Sequence, residues 1–406
     1  MTMKKRLLAL GLALTMALGL TACGSPAASD PSASPSASAS QEIEVDLSQD
    51  ILAFAANLTA DADLLTINGE KVPADLFLYW LAVNCAYFEN SYGLYGFTVS
   101  DYADNLLADS VSMTAYYIIL EQKCQELGCP LTDEQMQEVS EELFKEGQET
   151  YDQLKAINGL TDSTMEFIYS ITKYYENLLE ATIPQPTEDD LNNYVYQTRH
   201  ILLKTVDTEG ERTLQDDGTY AYPSLDEATV AEKKATAEDI LAQLSASDDP
   251  SALFDELMAE YSEDTNADGE LNSPEGYTAT PGEMVSAYEE AAFALDFGEI
   301  SGIVESEYGY HIIIRDQVED LDSYTDECRE YQMDQQVNKW LEDSTIEEKD
   351  ALTALNVADF YARYTAYQTA LSEQYNAENE DAQTSDAGAE TSQEGTESAA
   401  PEASEN

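Results

Sequence analysis

The chain of 406 residues contains only two histidines, His200 and His311. Each lies in a short apolar run that is typical of a β-strand, at residues 200–203 and 308–315. If the two strands pair side by side, the imidazoles face each other, and each can donate and accept a hydrogen bond. On residue type alone, the alternative stays open that both are structural histidines with satisfied hydrogen bonds.

Asp264 begins a second polar constellation, the loop 264–275. The loop fits the EF-hand pattern, with oxygen-bearing side chains at its first, third, fifth and last positions and Gly269 at the sixth. An EF-hand site, however, requires a helix directly after the loop, and Gly276 and Pro281 disfavour a helix there. The five cysteines and two histidines also lack zinc-site spacing. We therefore predict no metal and no cofactor, with calcium at this loop as the alternative.

The elements that must position these residues form an α/β unit. Its first and last segments are the two histidine-bearing strands, and three helical patterns lie between them, at 227–244, 251–261 and 288–294. Helical periodicity precedes the unit at 60–186 and returns after it at 322–374. The sequence therefore predicts an α+β fold in which the α/β unit is inserted between two helical segments.

Local signals set several boundaries in the helical segments. Residues 64–72 have the pattern of a β-hairpin turned at Asn68-Gly69. The run 184–186, Pro-Gln-Pro, marks the junction with the α/β unit. Capping boxes that predict helix starts occur at Thr132 with Gln135 and at Ser163 with Glu166.

The N-terminus has the features of an export signal. Basic residues at 4–6 precede an apolar run at 7–20, which is long enough for a signal-peptide core and short for a membrane span. Leu20-Thr21-Ala22-Cys23 resembles the bacterial lipobox, in which the cysteine becomes the lipid-bearing first residue after cleavage. The alternative is an ordinary signal peptide with a chance cysteine. We predict a signal peptide at 1–22 and an extracytoplasmic protein anchored to the cell membrane by lipid on Cys23.

Two segments are predicted to be unstructured. Residues 23–59 comprise the lipid anchor and a flexible linker that begins with a run of Ser, Ala and Pro. Residues 375–406 form an acidic tail, in which nine acidic residues follow residue 375 without a basic one.

The net charge argues against polyanionic partners. The chain has 81 acidic and 18 basic residues and a formal charge of -63. Nucleic-acid phosphates and anionic lipid head groups carry the same sign, so both are repelled. We predict no nucleic-acid partner, and contact with the membrane through the acyl chains alone.

Six short motifs occur in one order along the α/β unit: Arg199-His200-Ile201-Leu202, Tyr261-Ser262-Glu263-Asp264, Pro281-Gly282-Glu283-Met284, Glu290-Ala291-Ala292-Phe293, Gly298-Glu299-Ile300-Ser301 and Tyr308-Gly309-Tyr310-His311-Ile312-Ile313. At these residues the chain resembles the parvulin-type peptidyl-prolyl isomerases, and its layout resembles extracytoplasmic foldases of the PrsA and SurA kind. The resemblance implies a small antiparallel sheet flanked by helices at 187–320. This domain would lie between an N-terminal chaperone-like helical domain at 60–186 and a C-terminal helical segment at 321–374.

The resemblance also implies roles for individual residues. His200, Asp264 and His311 would form the catalytic core. Tyr288 stands where many members of the family have phenylalanine, so its hydroxyl needs water or a hydrogen-bond partner. The loop 269–277 departs from the family's usual Gly-Gly-Asp-Leu-Gly. The implied substrate-binding residues are Leu271, Met284, Tyr288 and Phe293.

The function that follows is a peptidyl-prolyl isomerase and foldase at the outer face of the membrane. Its partners would be unfolded or partly folded exported polypeptides that contain X-Pro bonds. One alternative is a holdase whose isomerase domain is inactive. Another is a solute-binding lipoprotein, which should have two α/β lobes.

The cysteines other than Cys23 leave two readings open. Cys124 and Cys129 are close enough in sequence for a disulfide, and Cys85 with Cys328 is a further possible pair. The alternative is free, buried thiols.

Overall fold

The computed structural model describes residues 43–215 and 220–390. The predicted signal peptide, the lipobox at Cys23 and the end of the acidic tail lie outside these residues. The described chain divides into two compact units. The helical unit comprises the residues up to Ile183 and from Glu330 onward, and the α/β unit comprises Pro184–Arg329. In the described segments, no helix has an apolar stretch long enough to span a bilayer.

The secondary structure alternates between long helices and short strands. The helices are α1 (Ile51–Ala56), α2 (Ala74–Tyr92), α3 (Ala103–Glu126), α4 (Asp133–Leu143), α5 (Gln148–Asn158), α6 (Asp162–Thr182), α7 (Glu188–Asn192), α8 (Glu227–Ala246), α9 (Pro250–Tyr261), α10 (Ser286–Ala294), α11 (Thr325–Glu342), α12 (Asp350–Thr353) and α13 (Val357–Glu390). The strands are β1 (Leu65–Ile67), β2 (Glu70–Lys71), β3 (Tyr196–Lys204), β4 (Thr213–Leu214), β5 (Tyr220–Ala221), β6 (Tyr277–Ala279), β7 (Val304–Ser306), β8 (Gly309–Asp316) and β9 (Ile346–Glu348).

The helical unit has one core, in which α2 and α3 pack with the C-terminal helix α13. Trp80 and Tyr117 pack their rings at 5.0 Å, and Phe360 and Tyr364 of α13 are buried in the same cluster. The predicted hairpin is present as β1 and β2. Its sheet has the order β2-β1-β9, so a strand from the far end of the chain completes it.

Helix starts in this unit follow local capping. Thr132 and Gln135 form the predicted capping box at the start of α4. The predicted box at Ser163 is wrong, because Thr161 is the N-cap and accepts a hydrogen bond from the Thr164 backbone N–H. Thr161 also donates its hydroxyl to the buried carboxylate of Asp75, which holds the helix start two residues earlier.

The structure corrects the predictions for both ends of the helical unit. Residues 50–56 were expected to be linker, but α1 begins at the N-cap Asp50 and buries Ile51, Leu52 and Phe54 in the core. The tail was expected to be disordered from residue 375, but α13 continues to Glu390. Alanine, glutamine and glutamate favour helix, and the buried first half of α13 supplies the nucleus from which the helix extends.

Cysteines in the described residues are free thiols. Cys85, Cys124 and Cys328 are buried, and Cys129 is partly exposed. The Cys124 thiol donates to the carbonyl oxygen of Tyr174 at 3.3 Å. Burial raises the pKa of Cys124 to about 12, which keeps this thiol protonated at neutral pH.

The α/β unit is built on a four-stranded antiparallel sheet of order β6-β3-β8-β7. The histidine-bearing strands β3 and β8 are its central pair and lie side by side, which is the condition that the sequence analysis set for contact between the two imidazoles. Side chains alternate between the faces of the sheet. Ile201 and Ile312 pack on one face with α8 and α9, whereas Ile313 packs on the other face with Tyr288 of α10. The predicted α+β fold, with a sheet unit inserted between helical segments, is confirmed.

Candidate active site

His200 and His311 lie on the face of the sheet that is covered by α10. In the β3–β8 register, His200 is opposite Ile313 and His311 is opposite Leu202, so the histidines are diagonal neighbours on one face. Their rings stack with centroids 5.4 Å apart and planes 19° apart. The two Nδ1 atoms are 3.2 Å apart, within hydrogen-bond distance. The contact predicted from the strand pairing is therefore present.

Asp264 reaches the pair from the loop that follows α9. One of its carboxylate oxygens lies 2.9 Å from Nε2 of His200. The preceding residue, Glu263, holds the loop against β3, because its backbone N–H donates to the Leu202 carbonyl and its carboxylate accepts from the Lys204 N–H. The structure thus brings the three predicted catalytic residues together.

The unusual loop 269–277 supplies further partners for Asp264. The Tyr277 hydroxyl donates to the same oxygen that contacts His200, at 2.7 Å, and the Asn272 side chain donates to the other oxygen at 2.6 Å. Gly276 (φ 88°) allows the loop to pass close to β3, since a Cβ there would lie 2.5 Å from the Thr198 carbonyl oxygen. Tyr277 and Asn272 were not singled out from the sequence.

These contacts account for the charge state of Asp264. Burial by itself would raise the pKa of this carboxyl group, but hydrogen bonds from His200, Tyr277 and Asn272 outweigh burial and hold the pKa well below its usual range. The carboxylate is therefore ionised, and both of its oxygens are committed within the site. In the described residues, no group of three or more His, Cys, Asp and Glu side chains is arranged to hold a metal ion.

Ser306 is the fourth side chain of the network and lies at its end beside His311. Nε2 of His311 lies 2.7 Å from the hydroxyl oxygen of Ser306, which also accepts a hydrogen bond from the Tyr308 backbone N–H. Burial, followed by the nearby His200, lowers the pKa of His311 to about 3, so this imidazole is neutral at physiological pH.

With His311 neutral and Asp264 ionised, the following assignment of donors and acceptors satisfies every contact of the network. Ser306 donates to Nε2 of His311, whose Nδ1–H donates to Nδ1 of His200, and Nε2–H of His200 donates to Asp264. All hydrogen bonds then run in one direction, from the hydroxyl to the carboxylate. Such a chain fixes both ring orientations and leaves neither imidazole with a free basic nitrogen.

Tyr288 packs edge-on against both histidines. Its ring centroid is 5.3 Å from that of His200 and 5.4 Å from that of His311. The side chain is buried, and its hydroxyl is 2.8 Å from the hydroxyl of Thr198 on β3. Thr198 is therefore the partner that the sequence required but did not identify.

The remaining predicted substrate residues lie on two different sides of the sheet. Met284 and Phe293 are partly buried against the cluster that contains Tyr288, and Phe293 meets the Tyr196 ring edge-on at 4.7 Å. Leu271 instead packs against the opposite cluster, beside α8 and α9. An isolated bridge between Thr265 and Leu271 turns the loop back on itself and accounts for this placement.

Arg315 anchors the end of α10, which carries Phe293. It lies on β8, is almost fully buried, and donates to the Phe293 and Leu295 carbonyls at 3.1 and 3.0 Å and to the Asn192 carbonyl at 2.6 Å. Burial lowers the pKa of its guanidinium. An arginine at the end of the isoleucine run 312–314 was a signal that the sequence analysis did not use.

The chemical character of the site follows from these contacts. Met284 and Phe293 present an apolar surface, and the polar groups beside it are already paired with one another. None of the serine, histidine or aspartate groups of the network forms a free nucleophile–base pair of the kind that covalent catalysis needs. The site is suited to binding and desolvating an apolar group.

Residues 200–317 match the Rotamase family, the PPIC-type PPIase domain. The foldase protein PrsA of Staphylococcus aureus (strain bovine RF122 / ET3-1) is 29% identical over 238 residues, which are 57% of this chain and 67% of the relative. The crystal structure of the peptidylprolyl isomerase PrsA from Bacillus cereus aligns at 21% identity and a TM-score of 0.33, and covers 67% of this chain and 94% of that chain.

Proposed function

We propose that this chain is a parvulin-type peptidyl-prolyl isomerase and a PrsA-like foldase. Its catalytic core is the Asp264–His200–His311 network, which lies beside a proline pocket that includes Met284, Tyr288 and Phe293. Its substrates are unfolded polypeptides. Those that contain X-Pro bonds in exported proteins are the proposed clients. The single observation that carries the site assignment is the contact of the two histidines across β3 and β8.

Prolyl isomerisation is a bond rotation and requires no covalent bond to be broken. Rotation about an X-Pro bond has a barrier of about 20 kcal/mol and takes tens of seconds or more without help. In the twisted state the imide loses its resonance and becomes less polar, so an apolar pocket that excludes water stabilises that state relative to the planar one. Met284 and Phe293 form the apolar surface of this pocket and contact the proline ring of the substrate.

The polar network has a positioning role in this mechanism. Its hydrogen bonds hold the His200 and His311 rings in fixed orientations against Tyr288. A rigid wall keeps the pocket shaped for the twisted imide. Such a mechanism requires neither a nucleophile nor a cofactor.

The alternatives are less well supported. A solute-binding lipoprotein should have two α/β lobes, whereas the described chain has one α/β unit and one helical unit. In a holdase with an inactive isomerase domain, we would expect the hydrogen-bond network of the isomerase site to be incomplete. The departing loop 269–277 instead provides Tyr277 and Asn272, which complete the hydrogen bonds of Asp264.

For location, we propose export and attachment to the outer face of the membrane through lipid on Cys23. The support is the basic and apolar signal at 4–20, the lipobox Leu20-Thr21-Ala22-Cys23 and the following linker of Ser, Ala and Pro. The relatives named PrsA are foldases, which fits an exported protein.

A protease-coupled assay with a short X-Pro peptide tests the proposed site in the full chain. Phe293→Ala should lower kcat/KM by about tenfold or more, because it removes most of the apolar surface at the proline. Phe144→Ala is the matched control, since Phe144 is a partly exposed phenylalanine of the helical unit. Full activity in Phe293→Ala would contradict the pocket assignment. Aggregation suppression by a wild-type chain that shows no isomerase activity would instead favour the holdase.

A further inference from the structure

The helical unit exposes an unusual group of apolar side chains where α2 connects to α3. In the described chain, eleven large hydrophobic residues are exposed, and six of them lie between residues 87 and 102. Leu94 and Tyr95, on a short 3-10 turn, are 96% and 78% exposed. We call this group the aromatic patch; its members are Tyr87, Tyr92, Leu94, Tyr95, Phe97 and Tyr102.

Three members of the aromatic patch, Tyr92, Phe97 and Tyr102, are joined by ring contacts. Partly buried Phe88 contacts the ring of Tyr92 at 5.3 Å and the ring of Tyr102 at 4.9 Å, and Tyr102 in turn contacts Phe97 at 5.7 Å. Leu94 and Tyr95 lie in the chain between these residues. Contiguous exposed apolar surface of this kind marks interaction sites in soluble proteins.

The backbone that carries the patch is held in place. The Thr98 backbone N–H and hydroxyl donate to the Asp101 carboxylate at 3.2 and 2.6 Å, and the side chain of Val99 is buried beneath the loop. The turn ends at Gly96, whose φ of 88° suits glycine. The exposure of Leu94 and Tyr95 therefore belongs to an ordered conformation.

The stretch of chain that carries the patch has exposed charges of one sign. Between Lys71 and Lys123 the sequence has no lysine or arginine. Four acidic residues of this stretch are exposed, namely Glu89, Asp101, Asp104 and Asp109. Such a surface attracts cationic segments and repels anionic ones, and exposed tyrosine faces add cation–π attraction for lysine and arginine. A second copy of this chain, with a formal charge of -63, would bring like charges together.

From these observations we propose that the aromatic patch binds extended polypeptide segments in which basic residues alternate with aromatic or aliphatic ones. This inference rests on the proposed foldase function and names the class of client segment that the helical unit holds. The apolar side chains of the segment cover Leu94 and the tyrosines, and its basic side chains reach the acidic residues around them. Specificity then comes from charge, and affinity from burial of the aromatic surface.

The test measures binding of a fluorescent, proline-free peptide that alternates Lys with Phe and Leu to the full chain. The absence of proline keeps the peptide out of the isomerase pocket. The double variant Leu94→Ser/Tyr95→Ser should weaken binding by about tenfold or more, because exposed apolar anchors are lost. Tyr220→Ser is the matched control, since Tyr220 is 64% exposed but lies outside the patch. A second peptide, with Glu in place of Lys, should bind at least about tenfold more weakly.

Other results of this binding test would overturn the proposal or part of it. Equal binding by the double variant and Tyr220→Ser overturns the patch, and equal binding of the two peptides overturns its charge preference. A wild-type chain that is dimeric in sedimentation and becomes monomeric in the double variant shows a self-association surface, which also overturns the proposal. Peptide binding that depends on the patch, in a chain without isomerase or aggregation-suppressing activity, would uphold the patch and refute the foldase function instead.

Discussion

The Nδ1 atoms of His200 and His311 face each other at 3.2 Å across the two central strands of the α/β unit. One hydrogen bond thus joins two half-networks, Asp264–His200 and His311–Ser306. Loss of either ring leaves Nδ1 of the other histidine without its partner inside the site, at a cost of about 1–3 kcal/mol.

His311→Ala should lower kcat/KM for a short X-Pro peptide by about 10- to 100-fold, because His200 loses the partner that fixes its ring. Suppression of client aggregation should stay close to that of the wild type, since holding is proposed for the helical unit. Peptide turnover and light scattering with a chemically denatured client measure the two activities separately. Loss of aggregation suppression with full peptide turnover would contradict both the site and the division of labour.

Acid should destabilise the α/β unit through His311. Its pKa falls from the ordinary 6.5 to about 3 on folding, so between these values the unfolded chain binds more protons than the folded chain. Stability therefore decreases as the pH falls from 6.5 toward 3, with a slope of up to about 1.4 kcal/mol per pH unit. Asp264, whose pKa is also lowered, adds to this loss only below its ordinary value of 3.8.

The measurement for this prediction is the urea dependence of hydrogen exchange in β8, at pH 7 and pH 5, in the full chain. Wild type should lose more stability between these pH values than His311→Asn, in which the titrating group is absent. The comparison uses the change with pH, so a uniform loss of stability in the variant does not affect it. Equal pH dependence in the two chains would rule out a buried neutral His311.

Arg315→Met should raise KM for X-Pro peptides severalfold. The substitution keeps an apolar stem but removes the donors that hold the Phe293 and Leu295 carbonyls, so the pocket wall becomes mobile. Arg212→Met serves as the control, because the Arg212 guanidinium stacks on the Tyr222 ring at 4.3 Å, and Tyr222 does not belong to the proposed pocket. If the KM of Arg315→Met stays at the wild-type value, Arg315 does not position the pocket.

A phosphoserine-proline peptide should be isomerised no faster than its neutral counterpart. The two basic residues after β3's apolar run are engaged elsewhere, since Lys204 donates to the Thr208 hydroxyl and Arg212 to the Tyr222 hydroxyl. Asp207, Glu209 and Glu211 in the same segment repel a dianion. Parallel rates on matched peptides are the measurement, and a higher kcat/KM for the phosphorylated peptide would contradict the prediction.

Cys23→Ala should abolish incorporation of labelled fatty acid into the chain. The precursor would then be retained through its signal segment or lost from the membrane fraction. Cys129→Ala is a suitable control, because Cys129 lies within the helical unit, far along the chain from the lipobox. Unchanged labelling of Cys23→Ala would show that lipid attachment, if any, occurs elsewhere.

Features that depend on local sequence patterns, or on the alternation of side chains along a strand, could be predicted before the structure was known. Capping residues such as Thr132 marked helix starts, and the Asn68-Gly69 turn marked the hairpin. The histidine contact was also predictable, because neighbouring strands with side chains alternating by two bring residues of one face together.

Contacts between distant segments could not be predicted from local patterns. β9 pairs with β1, so that Leu65 lies opposite Glu348, and α1 is too short to be stable without the core that buries Ile51 and Phe54. In the site, the turn at Thr265–Leu271 moved Leu271 to the far face, and the close approach at Gly276 brought Tyr277 to Asp264. These outcomes depend on which surfaces remain to be covered after the local elements have formed, and that information is spread over the whole chain rather than held in any one stretch of it.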